Sequence, residues 1–229
     1  TTLKTLSNNA SNNVLTITVA DTSVNPADLT AIALMTSENV DASAVLTLDG
    51  TAANANTVYA ASDFSGLGNE AVSLQDTSLA ATVLNTLNGN TTGVIDADSI
   101  VTLTGLADDV NTALSTASGE ISNLGDQDVT LSDATLAATT LTSVSGATTG
   151  TVDATNVATI TGTAAQAATA LGLSNVSNFG TQAVTLTDQS VAATDLNNAA
   201  DGTTGNVNAA TVVTITGDAT DVDTAYNQP

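Results

Sequence analysis

Four aspartates each close a short apolar run: Thr-Ile-Thr-Val-Ala-Asp21, Val-Ser-Leu-Gln-Asp76, Val-Thr-Leu-Ser-Asp133 and Val-Thr-Leu-Thr-Asp188. Carboxylates at regular spacing have two kinds of work open to them. Stacked as a ladder, they would offer rows of hard oxygen ligands, and calcium is the cation such oxygens select. Like charges brought that close repel unless a cation or hydrogen bonds intervene. Placed singly, each would cap the helix that follows it, with its charge near the positive helix end. The EF-hand loop and the Gly-Gly-x-Gly-x-Asp calcium repeat are both absent. Gly66-Leu-Gly68-Asn69-Glu70 and Leu124-Gly-Asp126-Gln-Asp128 are only faint echoes of them. Capping is therefore the favoured expectation, with calcium at Asp21, Asp76, Asp133 and Asp188 as the alternative and no cofactor required.

Other chemistries lack their residues. Without His or Cys there is no Ser-His-Asp or Cys-His nucleophile and no thiolate metal site. Gly66-Leu-Gly68-Asn69-Glu70 lacks the third Gly of a dinucleotide loop, and no Gly-Lys-Ser/Thr is present. Carboxylates alone can hydrolyse glycosides, but such a site needs one distinctive coil with aromatics and cations for the sugar. The chain is expected to be no enzyme. Lys4 is the only cation against 23 acidic residues, a net charge of −22. Such a chain repels nucleic-acid phosphates and anionic headgroups. No apolar run approaches the roughly 20 residues of a membrane span, so direct insertion into a bilayer is not expected. The series Val40-Asp41-Ala42, Ile95-Asp96-Ala97, Val152-Asp153-Ala154 and Val207-Asn208-Ala209 exchanges Asp for Asn. A turn-type side-chain hydrogen bond accounts for it without a charge. The Asn-x-Ser/Thr triplets at Asn9, Asn90 and Asn175 are short enough to arise by chance.

The aspartates recur at a near-constant interval of roughly 56 residues, a period of stacked repeats, and a sister phrase ends in Gly50, Gly105, Gly162 and Gly217. The step from Asp to Gly is identical in every copy, Asp21 to Gly50, Asp76 to Gly105, Asp133 to Gly162 and Asp188 to Gly217, and the step from Gly to the next Asp varies only slightly. The chain thus reads as four double units, or eight half units of about 28 residues. In the second copy, Ala71 to Gln75 alternates like a strand, Leu79 to Leu87 has helical spacing, and Asn88-Gly89-Asn90 marks its end. A strand over Ile100–Leu103 and a helix over Leu106–Leu114 follow. In the first copy, Pro26 stands early in its helix, where Pro is tolerated.

Only 2% of the residues are aromatic, while 42% are apolar, and the mean hydropathy is +0.21. Ala, Val and Leu suit the thin spaces between stacked coils, and enough apolar surface exists to fold. The expected fold is α/β: a repeat solenoid of eight strand-plus-short-helix half units. The alternative is an all-β parallel helix with the Ala-rich pieces as corners. Its four double repeats would span approximately residues 1–62, 63–119, 120–174 and 175–229. Stacked strands sit about 4.8 Å apart and packed helices about 8 to 10 Å, so the coils must bend or alternate sides. The sequence opens on Thr1 without an initiating Met, which reads as a processed product or an excised segment. Thr1-Thr-Leu-Lys-Thr-Leu6 and Tyr226-Asn-Gln-Pro229 make poor polar caps. The expected partner is the chain itself, in a head-to-tail homopolymer through the terminal coils. The alternative is a segment cut from a longer array.

The phrases Val-Thr-Leu-Thr-Asp188, Ser-Leu-Ala-Ala-Thr82, Thr-Thr-Gly-Thr-Val-Asp153-Ala and Thr-Gly-Leu-Ala-Asp-Asp-Val110-Asn-Thr-Ala resemble repeats of very large cell-surface proteins of marine unicellular cyanobacteria. The resemblance covers most of the chain from about residue 14. It implies an exported, acidic, Thr-rich surface or matrix protein and carries no functional residues across. The expected function is an extracellular or cell-surface structural repeat protein that assembles end to end into a filament or matrix. The alternatives are a calcium-stiffened adhesin stalk and a viral fibre or surface decoration.

Overall fold

A computed structural model describes residues 14–116 and 119–227; the opening Thr1–Leu6, Asn9 and the final Pro229, all singled out above, lie outside them. The described elements, in order, are β1 (Ser23–Val24), α1 (Pro26–Ala33), β2 (Val40–Asp41), β3 (Thr47–Gly50), α2 (Ala52–Ala60), β4 (Phe64–Ser65), β5 (Ala71–Leu74), β6 (Ser78–Ala80), α3 (Ala81–Asn90) and β7 (Ile95–Asp96). Next come β8 (Thr102–Gly105), α4 (Ala107–Ser115), β9 (Ile121–Ser122), β10 (Asp128–Leu131), β11 (Thr135–Ala137), α5 (Ala138–Ala147), β12 (Val152–Asp153), β13 (Thr159–Gly162) and α6 (Ala164–Leu171). The series closes with β14 (Val176–Ser177), β15 (Ala183–Leu186), β16 (Ser190–Ala192), α7 (Ala193–Asp201), β17 (Val207–Asn208), β18 (Thr214–Thr216) and α8 (Ala219–Tyr226). The protein is therefore α/β, with parallel strands alternating with helices in repeated units. The Ala-rich pieces are true helices, not corners of an all-β coil.

Contacts divide the chain into two compact units, residues 14–101 with 116 and 119–124, and residues 102–115 with 125–227. In the first unit, β1, β3, β5, β7 and β9 form one parallel row and β2 pairs with β4. In the second, β8, β10, β12 and β14 form a row, β11, β13, β15 and β17 another, and β16 pairs with β18. Within each unit, helices consecutive in sequence pack on one another.

Strand and helix advance at different rates. Most steps along a strand row, such as Thr47↔Ala71, Val72↔Ile95 or Thr159↔Ala183, span 23 or 24 residues, with Ile95↔Ile121 and Thr102↔Asp128 at 26, whereas helix starts lie 26 to 31 residues apart. Successive helices open at Ala52, Ala81, Ala107 and Ala138. Each step along a row therefore slips to a different phrase of the repeat. A Gly-ending strand (β3) pairs with the Asp-phrase strand (β5), which pairs with the short Val/Ile-Asp strand (β7). Equivalent strands are consequently not stacked on one another, and the expected ladder of equivalent aspartates does not form within either unit. The half unit is also richer than one strand and one helix. Ser78–Ala80, read as a helix start in the sequence, is strand β6, and α3 runs on through Asn88-Gly89-Asn90.

The core is thin and aliphatic. Leu48, Leu84, Leu87 and Ile95 are fully buried in the first unit, as are Leu103, Leu131, Leu141 and Ile160 in the second; each contributes about 1.5 to 3 kcal/mol. Helices meet through Ala: α6 buries Ala164, Ala167 and Ala170 on one face, at i, i+3 and i+6. Helices this short are marginal alone, so this packing holds them.

Candidate functional site

The marker aspartates do cap helices, but not those that follow them. Asp76 accepts from the N–H of Ala52 (2.8 Å), Asp133 from that of Ala107 (2.8 Å) and Asp188 from that of Ala164 (2.8 Å). Each carboxylate reaches 24 or 26 residues back, to the first residue of α2, α4 or α6 in the preceding coil. The helices that do follow, α3, α5 and α7, begin after Ala80, Ala137 and Ala192, which offer no side-chain cap. The expectation of a local cap is thus corrected: Asp76 lies just before strand β6, and coil stacking brings it to the earlier helix instead. Asp21, the fourth of the series, is exposed and no hydrogen bond reaches its carboxylate from a described residue. Among the described residues no three acidic side chains gather as a metal would need.

A second series of contacts runs through the Thr-Thr-Gly phrases that begin at Thr91, Thr148 and Thr203. The hydroxyls of the buried Thr91, Thr148 and Thr203 donate to the carbonyls of Glu70, Gln127 and Gln182 (2.7, 2.6 and 2.7 Å), each 21 residues back. The same oxygens accept from the N–H of Gly93, Gly150 and Gly205. A Cβ on any of these glycines would overlap the carbonyl its Thr holds, so each Thr-Thr-Gly phrase is a close approach of two backbones. Thr36 makes the corresponding bond to the carbonyl of Leu15 (2.6 Å).

The faint calcium echoes are tight loops. Gly66, Asn123 and Asn178 take the left-handed conformation, at φ of +84°, +61° and +56°. Two residues further on, the N–H groups of Gly68, Gly125 and Gly180 donate to the side chains of Glu70, Gln127 and Gln182, 2.8 Å in each case. Glu70 departs from its sisters. Its Oε2 also accepts from Tyr59 (3.1 Å), while its buried Oε1 has no partner among the described residues. Burial pushes the Tyr59 hydroxyl well above the ordinary phenol range, and the neighbouring Glu70 adds to it.

In the Asp/Asn series, Asp41, Asp96, Asp153 and Asn208 accept from the N–H two residues on, at 3.0 to 3.2 Å. These are the side-chain turns that the exchange of Asp for Asn points to. The Ser43 hydroxyl holds Asp41 below the usual carboxylate range, and Thr155 followed by Asn178 does so for Asp153. Of the Asn-x-Ser/Thr sites, Asn90 donates to Asn56, and Asn175 donates to the carbonyls of Ser145, Thr148 and Gly150. Both side chains are engaged in stacking.

Two surfaces break the pattern. Ala52, Ala107 and Ala164, which open α2, α4 and α6, are fully buried, but Ala219, which opens α8, is exposed, and α8 buries none of its residues. Val222 and Ala225 are half-buried, although Val110 and Ala113 at the same positions of α4 are fully buried. A groove runs beside α8 between Leu196, Val207, Ala209 and Ala225. In the first unit, a second groove runs along Ile17, Val19, Asp21, Val24 and Ile32.

The site chemistry is that of a repeat α/β protein whose polar residues hold coils to coils. Comparison with protein families, with curated proteins and with solved structures finds no match to this chain. No helix among the described residues is long and apolar enough to cross a membrane.

Proposed function

We propose that the chain is a non-catalytic structural repeat protein, a solenoid of stacked strand–helix coils that works outside the cell and assembles end to end into a filament or surface matrix. One observation carries this reading: Asp76, Asp133 and Asp188 each hold the first N–H of a helix 24 or 26 residues back, and Thr91, Thr148 and Thr203 each grip a carbonyl 21 residues back, so that coil is tied to coil. Such links are the work of a scaffold, whereas the Asp/Asn turns act within a single loop. The absence of His and Cys from the sequence leaves the common nucleophilic triads without their residues. The location outside the cell rests on the acidic, Cys-free composition and on the resemblance to giant surface proteins.

Purified chain viewed by negative-stain microscopy, with and without chelator, tests it. Ordered filaments are expected in both. Assembly should rise with ionic strength, since a net charge of −22 opposes contact between copies and salt shortens its reach to about 8 Å at physiological strength. A chain that stays monomeric at every concentration, with calcium raising its melting temperature, would replace the filament with the stalk.

A further inference from the structure

We infer that Glu70 holds one calcium ion through its buried Oε1, with oxygens of the loop over residues 66–69 joining the ligand set. The site stands apart from end-to-end assembly, so filaments in chelator and a response to calcium are separate readings.

Glu70 is a carboxylate with no counter-charge from the protein. Its side chain is buried, at 1% exposure, and Oε1 has no hydrogen-bond partner among the described residues. Those residues include no Lys, Arg or His. A charge buried without a partner is costly, so an ion from outside the chain is the natural complement. The other oxygen is already served: Oε2 accepts from the Gly68 N–H (2.8 Å) and from Tyr59 (3.1 Å). This Tyr and this Glu occur together. The eighth residue of the preceding helix is Leu114 where the loop carries Gln127 and Leu171 where it carries Gln182, but Tyr59 where it carries Glu70.

The sister loops show what lies beside Oε1. There the same place belongs to an amide: Nε2 of Gln127 donates to Oδ1 of Asp126 (2.9 Å), and Nε2 of Gln182 donates to the carbonyl of Asn178 (3.0 Å). All three loops have a left-handed residue four positions before the Glu or Gln and the same bond from the Gly two positions before it, so their atoms correspond. In the first loop the corresponding oxygens are Oδ1 of Asn69 and the carbonyl of Gly66. Glu70 adds a third oxygen where its sisters bring an N–H, and no donor lies between them. One carboxylate, one amide oxygen and one backbone carbonyl, with waters in the remaining places, are ligands of the kind calcium takes. Water has access, because a Cβ on Gly68 would meet nothing within 4 Å. With a single charge in the set and no cluster of three acids among the described residues, the affinity should fall at about 0.1 to 1 mM.

Tyr59 makes the test selective. Terbium, a stand-in for calcium, emits when a tyrosine beside it absorbs, and the chain has no Trp and only Tyr59 and Tyr226. Full-length Tyr226→Phe chain should give terbium emission under tyrosine excitation, and calcium should displace it. Adding Glu70→Gln or Tyr59→Phe should abolish the signal. Melting supplies a second reading: calcium should raise the melting temperature of the unaltered chain over its value in chelator and leave that of Glu70→Gln where it was. Asn69→Ala should keep the fold and weaken calcium severalfold. Equal emission or an equal calcium shift with and without Glu70 would put the ion elsewhere and overturn the site. Neither emission nor shift in the unaltered chain would overturn it as well. Stabilisation by sodium at constant ionic strength, or by acid, in place of calcium would assign a monovalent ion or a proton to Oε1 and exclude calcium.

Discussion

Helices α2, α4 and α6 are fastened at their first residue, whereas α3, α5 and α7 are fastened just past their last. The first group begins with an Ala whose N–H is held by an aspartate from the next coil. The second begins straight out of a strand, behind an Ala that caps nothing, and is followed by a buried Thr that grips the preceding coil. The difference shows that the two halves of the double repeat are not copies of one device. One half ties forward through a charge, the other ties back through a hydroxyl and a glycine without a side chain. Both devices join the same pairs of neighbours, the coil of α2 with that of α3, α4 with α5 and α6 with α7, and nearest-neighbour links of this kind set the stability of stacked repeats.

The hydroxyl end should prove the more costly to disturb. Gly150→Ala drives a methyl into the Gln127 carbonyl and should cost about 3 kcal/mol or more, read as a lower urea midpoint. An Ala that left the midpoint unchanged would remove the close approach from the account. Next is Thr148→Val, which keeps the shape but strips the hydroxyl from both the Gln127 carbonyl and the Gly150 N–H. About 2 kcal/mol should be lost for the unpaired groups, and Thr148→Ser should recover most of it.

At the carboxylate end, Asp133→Ala should cost about 1 kcal/mol through loss of the Ala107 cap, whereas Asp21→Ala should leave the monomer's stability unchanged. Equal losses from both would break the distinction between interior and uncovered ends. Glu70→Gln restores the residue type of its sisters and supplies a donor where Oε1 has no partner. It should raise the melting temperature, by about 1 kcal/mol of stability.

The smallest effect belongs to the turns. Asp153 has its folded pKa lowered by Thr155 and Asn178, so its contribution is complete above the unfolded value of about 3.9 and lost as pH falls through the lower folded value. Asp153→Asn, the residue its sister carries at position 208, should cost a few tenths of a kcal/mol at about pH 7, a loss that vanishes as pH falls below the folded value, so that acid unfolding is slightly flattened.

Much of this was legible in the sequence because it depends on local pattern. The strand at Ala71–Leu74 and the helix at Ala107–Ser115 announce themselves by periods of two and of about three and a half. The aspartates announced themselves as caps by type and position. Which helix they cap was hidden, because a contact 24 residues away is decided by coil length and register, and proximity along the chain favours the wrong partner. Ser78–Ala80 was hidden because so short a strand carries no period, and a strand that runs directly into a helix has no boundary residue. Thr91, Thr148 and Thr203 stood in a visible Thr-Thr-Gly series, but that phrase reads as a turn. Only the neighbouring coil buries the hydroxyl and requires the missing side chain.

The most direct test is backbone amide exchange in dilute, unassembled chain at the first residue of each Gly-phrase helix. Stacked coils joined by carboxylate caps predict slow exchange at Ala52, Ala107 and Ala164 and fast exchange at Ala219. Uniform exchange at all four, whether fast or slow, would contradict the account.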